Sequence, residues 1–388
     1  MHRRQSALIP DLICLSHLRW KFVFQRPQHL MTRCAQERRV FFIEEPVFAP
    51  GTEPHLAIDR SSAVTVVVPQ LPDGMGASLV DVTLRRLVDT LVEQEGIDDW
   101  VAWYYTPMAL SFTDHLRPRA TVYDCMDELS AFKGAPAALR AREAELMRRA
   151  DLVLTGGHSL FEAKQHQHRN IHPFPSSVDV AHFAQARRIA SDPPDQAGIP
   201  HPRLGFFGVI DERMDLELLE GVADARPDWH LVLIGPVVKV DPSVLPQRPN
   251  IHYLGSKDYA ELPAYLAGWD VATLPFARNE STRFISPTKT PEYMASGTPV
   301  VSTSIRDVVR PYGQQGLVRI ADTPEAFVDA CTAAMGEDAS ERIARNDTFL
   351  RHMSWDGTWA RMRALLEDVL DADPLDAPGD FTGTAEAL

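Results

Sequence analysis

Cysteine is scarce in this sequence, and the few cysteines present form no familiar pattern. Four occur in 388 residues, with no C-x-x-C pair and no spacing typical of a disulfide framework or a zinc site. We therefore expect reduced thiols and a cytoplasmic protein. The chain also lacks the run of about 18 apolar residues that a membrane-spanning helix needs. Pro10 and Asp11 interrupt the N-terminal apolar stretch, so it does not look like a signal peptide.

Positive charge is also in short supply. Lys and Arg number 39 against 53 Asp and Glu, which gives a net charge of −14. Binding to duplex nucleic acid needs a basic footprint, so we exclude it as the main function. Small anionic ligands need only local positive charge and are not excluded. The sequence contains neither the G-x-G-x-x-G of dinucleotide-binding proteins nor the G-x-x-x-x-G-K-[ST] of P-loop proteins.

The sequence does contain many short apolar strands that alternate with helical patterns. This alternation predicts parallel α/β sheets. A Pro- and Asp-containing stretch interrupts it, so we predict Rossmann-like domains at 1–185 and 203–353 with a linker at 186–202. The helix at 354–371 is apolar on one face and should pack back onto the N-terminal domain, while 372–388 should be disordered. Ligands of open α/β sheets bind at the strands' carboxyl ends, here in the cleft between the domains.

The segment "SPTKTPEYMASGTPVVS", residues 286–302, predicts a loop, a short helix and a buried strand. Ser286 can cap the helix, and Gly297 suits the position that follows its end. These helix-terminus signals do not explain why Lys289 and Glu292 occupy the first turn. Near a helix N-terminus, which favours anions, the lysine could bind a phosphate and the glutamate a ribose diol. The alternative is a solvated surface pair worth only about 0.3 kcal/mol, which leaves the surrounding pattern unexplained.

The segment "RLGFFGVIDERMD" predicts a second phosphate-binding element. Gly208 follows a strand and precedes a helix, where a glycine lets the backbone approach an anion. A simple tight turn between strand and helix is an equally good interpretation. Arg213 in this loop could reach a phosphate, or could pair with Asp211 or Glu212.

These segments together resemble the nucleotide-sugar-binding domain of GT-B glycosyltransferases, in particular the family 4-like, or group 1, members of polysaccharide and teichuronic-acid biosynthesis. The resemblance covers most of residues 150–365. It implies that Lys289 lies near a diphosphate and Glu292 on the ribose, and it adds Gly208, Tyr253 and Gly255 to the donor side, where we also place Ser286. The implied co-substrate is a nucleotide-diphospho-sugar, UDP- or GDP-linked. We expect no catalytic metal, because the only plausible D-x-D, Asp371 to Asp373, lies in the tail, and we expect no other cofactor.

The stretch "SHLRWKFVFQRPQHL" after the first strand resembles the W-x4-QRPQHL stretch of that polysaccharide subgroup. In this fold the loop lines the acceptor side of the cleft. Predicted contacts to the acceptor or the diphosphate are therefore His17, Arg19, Trp20, Gln25 and Arg26. For Trp20 alone, a role as a core anchor is the better interpretation.

Catalytic residues are predicted at the ends of strands that face the cleft. Asp127, after "YDCM", could take a proton from an acceptor hydroxyl, or could cap the next helix. His17 is the second catalytic candidate. His158, after a pair of glycines, could touch a phosphate or sugar, although an exposed loop position is the simpler expectation.

One departure from the family pattern leaves the stereochemistry open. Many retaining members carry two glutamates with seven residues between them, but Phe284 occupies the first position here and Glu280 lies four residues too early. The prediction is thus a glycosyltransferase that acts on a glycan or lipid-linked acceptor in surface polysaccharide synthesis, with at most peripheral membrane contact. The alternatives are a nucleotide-sugar epimerase of the same fold and a non-catalytic sugar-nucleotide-binding protein.

Overall fold

The computed structural model describes residues 9–372 of the chain. The first of its two sheets has nine strands, all parallel to their neighbours except β4, which pairs antiparallel with β5. They are β1 (Asp11–Leu15), β2 (Val40–Ile43), β3 (Val47–Ala49), β4 (His55–Asp59), β5 (Thr65–Pro72), β6 (Trp100–Tyr104), β7 (Ala120–Cys125), β8 (Leu152–Thr155) and β9 (Ile171–Pro173).

Helices connect the strands of the first sheet and cover both of its faces, and the strand order is β3-β5-β2-β1-β6-β7-β8-β9. The strands that pair with neighbours on both sides are buried almost throughout, as expected for a parallel sheet covered on both faces. The helices are α1 (Arg26–Cys34), α2 (Ala77–Gln94), α3 (Leu110–Thr113), α4 (Leu139–Arg149), α5 (His158–Lys164) and α6 (Val180–Phe183).

The second sheet has six strands, all parallel, in the order β12-β11-β10-β13-β14-β15. Its strands are β10 (Arg203–Phe207), β11 (His230–Ile234), β12 (Ile251–Tyr253), β13 (Val271–Leu274), β14 (Val300–Ser302) and β15 (Arg319–Ile320). Its helices are α7 (Leu216–Ala225), α8 (Leu262–Ala267), α9 (Lys289–Ser296), α10 (Arg306–Val308), α11 (Pro324–Met335) and α12 (Ala339–Leu350).

The architecture predicted from the sequence, two parallel α/β domains, is therefore present. The prediction missed β3, β4 and β9, which are short or lie at the sheet's edges. Residues 373–388, predicted to be disordered, lie outside the described residues.

The segment predicted as a linker packs tightly on the second domain. Gln196 is fully buried, and its side chain accepts a hydrogen bond from Trp269 Nε1 at 2.9 Å. Arg203 Nε donates to the Ile199 carbonyl at 2.8 Å, and its guanidinium pairs with Asp192. The predicted linker is thus packed against the second domain through these residues.

The last helix, α13 (Trp355–Asp371), returns to the first domain. Its buried face consists of Trp355, Trp359, Met362 and Leu366, which join a core cluster with Leu12 and Trp103 of the first sheet. The predicted packing of this helix on the N-terminal domain is therefore confirmed. Two side chains of α13 also form ion pairs with Arg33 and Glu37 of the first domain, at 2.6 and 2.5 Å.

Met362 provides a direct test of that packing. It is completely buried, so Met362→Ala should lower the free energy of unfolding by about 2–5 kcal/mol through lost burial and the cavity left behind. Asp368→Ala, an exposed position of the same helix, serves as the control and should change it by less than about 0.5 kcal/mol. Urea unfolding measures both, and equal small effects would mean that α13 is loosely held.

Candidate active site

Two glycines bring the ends of β10 and β11 into direct backbone contact. Gly208 has a φ of +147° and Gly235 a φ of +142°, both in the region that side chains disfavour. A Cβ atom at Gly235 would lie 1.8 Å from the carbonyl oxygen of Gly208. The amide of Gly208 donates to the Ile234 carbonyl at 2.8 Å and is therefore not free to bind an anion. Glycine is needed here because the two backbones approach each other so closely.

Helix α9 is held rigidly beside these glycines. Its residues from 290 to 296 are all buried, and Tyr293 Oη accepts a hydrogen bond from the Phe207 amide at 3.0 Å. At its other end, Gly297 adopts a φ of +84°, and the side chain of Asn346 binds the Met294 carbonyl at 3.1 Å. These contacts leave the first turn of α9 facing the carboxyl ends of the strands.

Lys289 is the first residue of α9 and lies over Gly208. A Cβ atom at Gly208 would be 2.8 Å from Lys289 Cε and 3.4 Å from Nζ. Among residues 9–372, no carboxylate forms an ion pair with this ammonium, whose one hydrogen bond is to Thr288 Oγ1 at 3.5 Å. Burial lowers the pKa of Lys289, while Glu292 partly offsets the effect. The arrangement places a desolvated cation where an anion could bind.

Glu292 lies one helical turn further along and is 7% exposed. Burial raises the pKa of its carboxyl to about 8, against the opposing influence of Lys289. No hydrogen-bond donor within the described part of the chain contacts this carboxyl group. A buried carboxyl group without protein partners is costly, and hydroxyl groups of a ligand would satisfy it.

Two cavities meet at Lys289. The larger, of about 310 Å³, is lined by Gly208, Gly235, Lys289, Glu292, the 256–259 loop and the first-domain segment 20–24. The smaller, of about 80 Å³, is lined by Asp127, Arg213, Ser286 and Lys289, among others. Both domains therefore contribute walls to one continuous cleft.

Asp127 occupies the first-domain side of the smaller cavity. The following 3-10 helix, Leu129–Ala131, begins after Glu128, and no backbone amide among the described residues donates to the Asp127 carboxylate. The cap interpretation of Asp127 is therefore wrong. Burial raises the pKa of its carboxyl, although Arg213 and Lys289 oppose that shift.

Arg213 both pairs with Asp211 and faces the cleft. Its guanidinium contacts the buried Asp211 carboxylate at 2.8 to 3.1 Å and lines the smaller cavity. The Phe132 ring of the first domain lies 5.6 Å from the guanidinium carbon. Asp211 thus orients Arg213 without taking it out of the cleft.

The two predicted arginines are held mainly by protein acceptors. Arg26 lines the smaller cavity, but it is 1% exposed and its guanidinium binds Asp124 through two nitrogens at 2.7 and 3.1 Å. Arg19 bonds to Glu44 and to the carbonyls of Glu45 and Pro46. Both arginines hold loops in place, because their guanidinium groups are already occupied by protein acceptors.

Tyr253 and Gly255 do not line the larger cavity. Tyr253 Oη donates to the Pro246 carbonyl at 3.1 Å, and the Gly255 carbonyl accepts from the Gly235 amide at 2.9 Å. The residues that immediately follow, 256–259, line the cavity instead. The predicted loop therefore reaches the site, but through later residues than expected.

His158 is exposed at the start of α5, which was the simpler of its two expectations. Ser286 and His17 differ from expectation. Ser286 caps no helix, since α9 begins only after Thr288, but it lines the smaller cavity together with Gln25. His17 lines neither cavity, and burial with nearby Lys239 lowers the pKa of its imidazole to about 4, so it is neutral at pH 7.

Trp20 combines both of its predicted roles. Its ring packs edge-on against Phe42 with the centroids 5.0 Å apart, and it also lines the larger cavity. Sequence reasoning missed its neighbours Phe22 and Phe24, although the apolar residues at every second position of "WKFVF" were a usable signal. It also missed Asp307, whose carboxylate accepts from the Ser159 amide of the other domain at 3.0 Å.

Comparison with known proteins places this geometry in context. Residues 201–337, most of the second domain, match the family model described as glycosyl transferases group 1. A 241-residue stretch is 25% identical to TuaH of Bacillus subtilis (strain 168), named as a teichuronic acid biosynthesis glycosyltransferase. That alignment covers 57% of this chain and 59% of TuaH, so the chain spans less than two thirds of this relative. The second domain thus has the family resemblance that the sequence indicated.

Solved structures of similar fold cover nearly the whole chain. Sucrose-phosphate synthase from Thermosynechococcus elongatus matches with a TM-score of 0.68 and 14% identity, over 94% of this chain and 100% of its own. The UDP-forming α,α-trehalose-phosphate synthase from Burkholderia vietnamiensis gives 0.66 and 15%, over 94% and 100%. Anabaena HepE in complex with UDP and glucose gives 0.63 and 15%, over 92% and 100%. The predicted GT-B fold is therefore confirmed.

The buried carboxyl of Glu292 should make stability depend on pH in a defined direction. Its pKa is raised from 4.5 to about 8, so the folded state keeps a proton that the unfolded chain loses between those values. Its stabilising contribution is therefore full below about pH 4.5 and is lost as the pH rises through about 8. Glu292→Gln should gain stability relative to wild type between pH 5 and 8.5, measured by urea unfolding.

The exposed Glu325→Gln is the control for this measurement. The other titrating groups are shared by the variants, but the charge of Glu292 raises the pKa of Lys289. The difference from wild type therefore reports the titration of the Lys289–Glu292 pair. A difference that does not change with pH would show that the Glu292 carboxyl is ionised throughout the range.

Proposed function

We propose that this protein is a glycosyltransferase that moves a sugar from a nucleotide-diphospho-sugar to a glycan or lipid-linked acceptor. The observation that carries the proposal is the placement of Lys289 over Gly208, one helical turn from Glu292, in a cavity between two domains. That cavity offers a cation for a diphosphate and a carboxyl for ribose hydroxyls. Its volume of about 310 Å³ is in the range of small-ligand pockets.

The donor is a UDP- or GDP-linked sugar, most simply a hexose. Supporting this, two proteins of similar fold are named as a UDP-forming synthase and as a complex with UDP and glucose. The acceptor enters from the side of the first domain. The similarity to TuaH supports a role of this protein in the synthesis of a cell-surface polysaccharide. No helix among residues 9–372 is long and apolar enough to cross a membrane. We propose that the protein acts in the cytoplasm and that its contact with the membrane is peripheral.

The departing diphosphate is stabilised by protein charges. Lys289 and Arg213 line the same cavity, and the N-terminus of α9 adds its partial positive charge. Fixed charges aimed at a developing anion are an effective form of catalysis, because they need no reorganisation during the reaction. We therefore propose a reaction that does not depend on a metal ion.

Asp127 serves as the general base. Its carboxylate accepts the proton of the acceptor hydroxyl while that oxygen bonds to the anomeric carbon and the bond to the diphosphate breaks. The electron pair of the broken bond leaves with the nucleotide diphosphate. Glu280, the nearest candidate for the first glutamate of retaining members, has a side chain 78% exposed and pairs with Arg283, which favours Asp127 and an inverting reaction.

Nucleotide binding tests the proposal first. Lys289→Ala should weaken binding of UDP or GDP about 10- to 150-fold, because a charge-assisted contact worth about 1.5–3 kcal/mol is lost, while binding of uridine or guanosine changes little. Lys133→Ala is the matched control, because Lys133 is exposed and lines neither cavity. Calorimetry on all three proteins measures the affinities. A wild-type protein that binds no nucleotide diphosphate would refute the proposed function.

Transfer itself should depend on Asp127. Asp127→Asn is expected to slow transfer about 10²- to 10⁴-fold, since a base can no longer accept the proton, and to leave donor affinity nearly unchanged. The rate is measured in EDTA, with the melting temperature taken on the same preparation. Turnover close to wild type would exclude Asp127 as the base, and an absolute requirement for added Mg²⁺ or Mn²⁺ would contradict metal independence.

A further inference from the structure

The donor cavity has an apolar wall that comes from the other domain. Eight large hydrophobic side chains are exposed among the described residues, and three of these are phenylalanines: Phe22, Phe24 and Phe48. Phe22 and Phe24 both line the larger cavity, next to Trp20. Leaving an aromatic ring in water costs free energy that burial would recover, so two such rings at one cavity point to a ligand that covers them.

The segment that carries these rings is fixed in position. Trp20 packs on Phe42, and its backbone amide donates to Glu44 at 2.8 Å. Its carbonyl accepts from the Gln28 side chain, also at 2.8 Å. At the other end, the Gln25 amide donates to the same glutamine side chain at 3.0 Å. The wall is therefore formed before any ligand binds.

Phe24 and Phe22 differ in their surroundings. The Phe24 ring contacts Tyr259 of the second domain with centroids 4.6 Å apart and His29 at 4.7 Å. Phe22 has no such ring neighbour in the described part of the chain and is 50% exposed. Phe24 thus packs between the two domains, whereas the Phe22 ring lines the cavity without packing against another ring of the described residues.

The rest of the cavity indicates which ligand group meets that ring. Lys289 and Glu292 occupy the end assigned above to the diphosphate and the ribose. The remaining lining includes segment 20–24 of the first domain, Ile234, Pro236, Leu262 and the 256–259 loop. A flat apolar group attached to a ribose fits there, and aromatic rings stack well on nucleobases.

We propose that Phe22 of the first domain stacks on the base of the donor nucleotide and is a determinant of donor affinity. This inference rests on the proposed function, since it assigns the cavity to a nucleotide. It also means that the donor contacts both domains, so that donor binding stabilises the closed cleft.

The test compares ligands with and without a base. Phe22→Ala should weaken UDP or GDP binding about 5- to 150-fold, the range of a lost base stack, and should leave inorganic pyrophosphate binding unchanged. Phe22→Trp should retain nucleotide affinity, because an indole can stack in the same place. Phe48→Ala is the matched control, since Phe48 is 45% exposed in the same domain but lines a different cavity.

The outcomes separate the two levels of the argument. If wild type binds no nucleotide, the proposed function fails and this inference with it. If wild type binds nucleotide and Phe22→Ala binds it equally well, only the stacking role is overturned. The stacking role is also overturned if Phe22→Ala raises the acceptor KM without changing the nucleotide Kd, because the ring would then contact the acceptor.

Discussion

The first turn of helix α9 holds a half-buried lysine and a buried glutamate, and among residues 9–372 neither forms an ion pair with another side chain. Such burial opposes ionisation of both groups, lowering the pKa of Lys289 and raising that of Glu292. A fold keeps groups in so unfavourable a state where a function requires them. In the proposed function, the requirement is an anion over Gly208 and hydroxyl groups beside Glu292. The close contact of the two glycine backbones and the tethering of α9 by Tyr293 both serve this arrangement.

The contacts between the domains complete the site. Asp307 of the second domain accepts from the Ser159 amide at the start of α5. The Lys133 amide donates to Glu212 at 3.2 Å, and Phe24 meets Tyr259. These contacts bring Asp127 from one sheet and Arg213 and Lys289 from the other to one small cavity. In the proposed function, the acceptor-side carboxylate thus faces the donor-side cations, as transfer from a bound donor to a bound acceptor requires.

The sequence predicted those features that depend on neighbouring residues. The alternation of strands and helices, the apolar face of α13 and the first turn of α9 are all local patterns. The ion pair of Arg26 was missed because its partner, Asp124, lies 98 residues away, and no spacing rule reveals such a pairing. Tyr253 was misplaced because a loop's direction after its strand depends on tertiary packing. The contributions of Phe24 and Asp307 depend on how the two domains meet, which a pattern within one domain does not contain.

The most direct test of the central claim is a crystal structure of the protein with a bound nucleoside diphosphate. The account predicts that the diphosphate lies over Gly208, with a phosphate oxygen about 2.7–2.9 Å from Lys289 Nζ. It also predicts that the Glu292 carboxyl accepts hydrogen bonds from the ribose hydroxyls. A nucleotide bound outside this cavity, or one bound within it without contact to Lys289 and Glu292, would contradict the account.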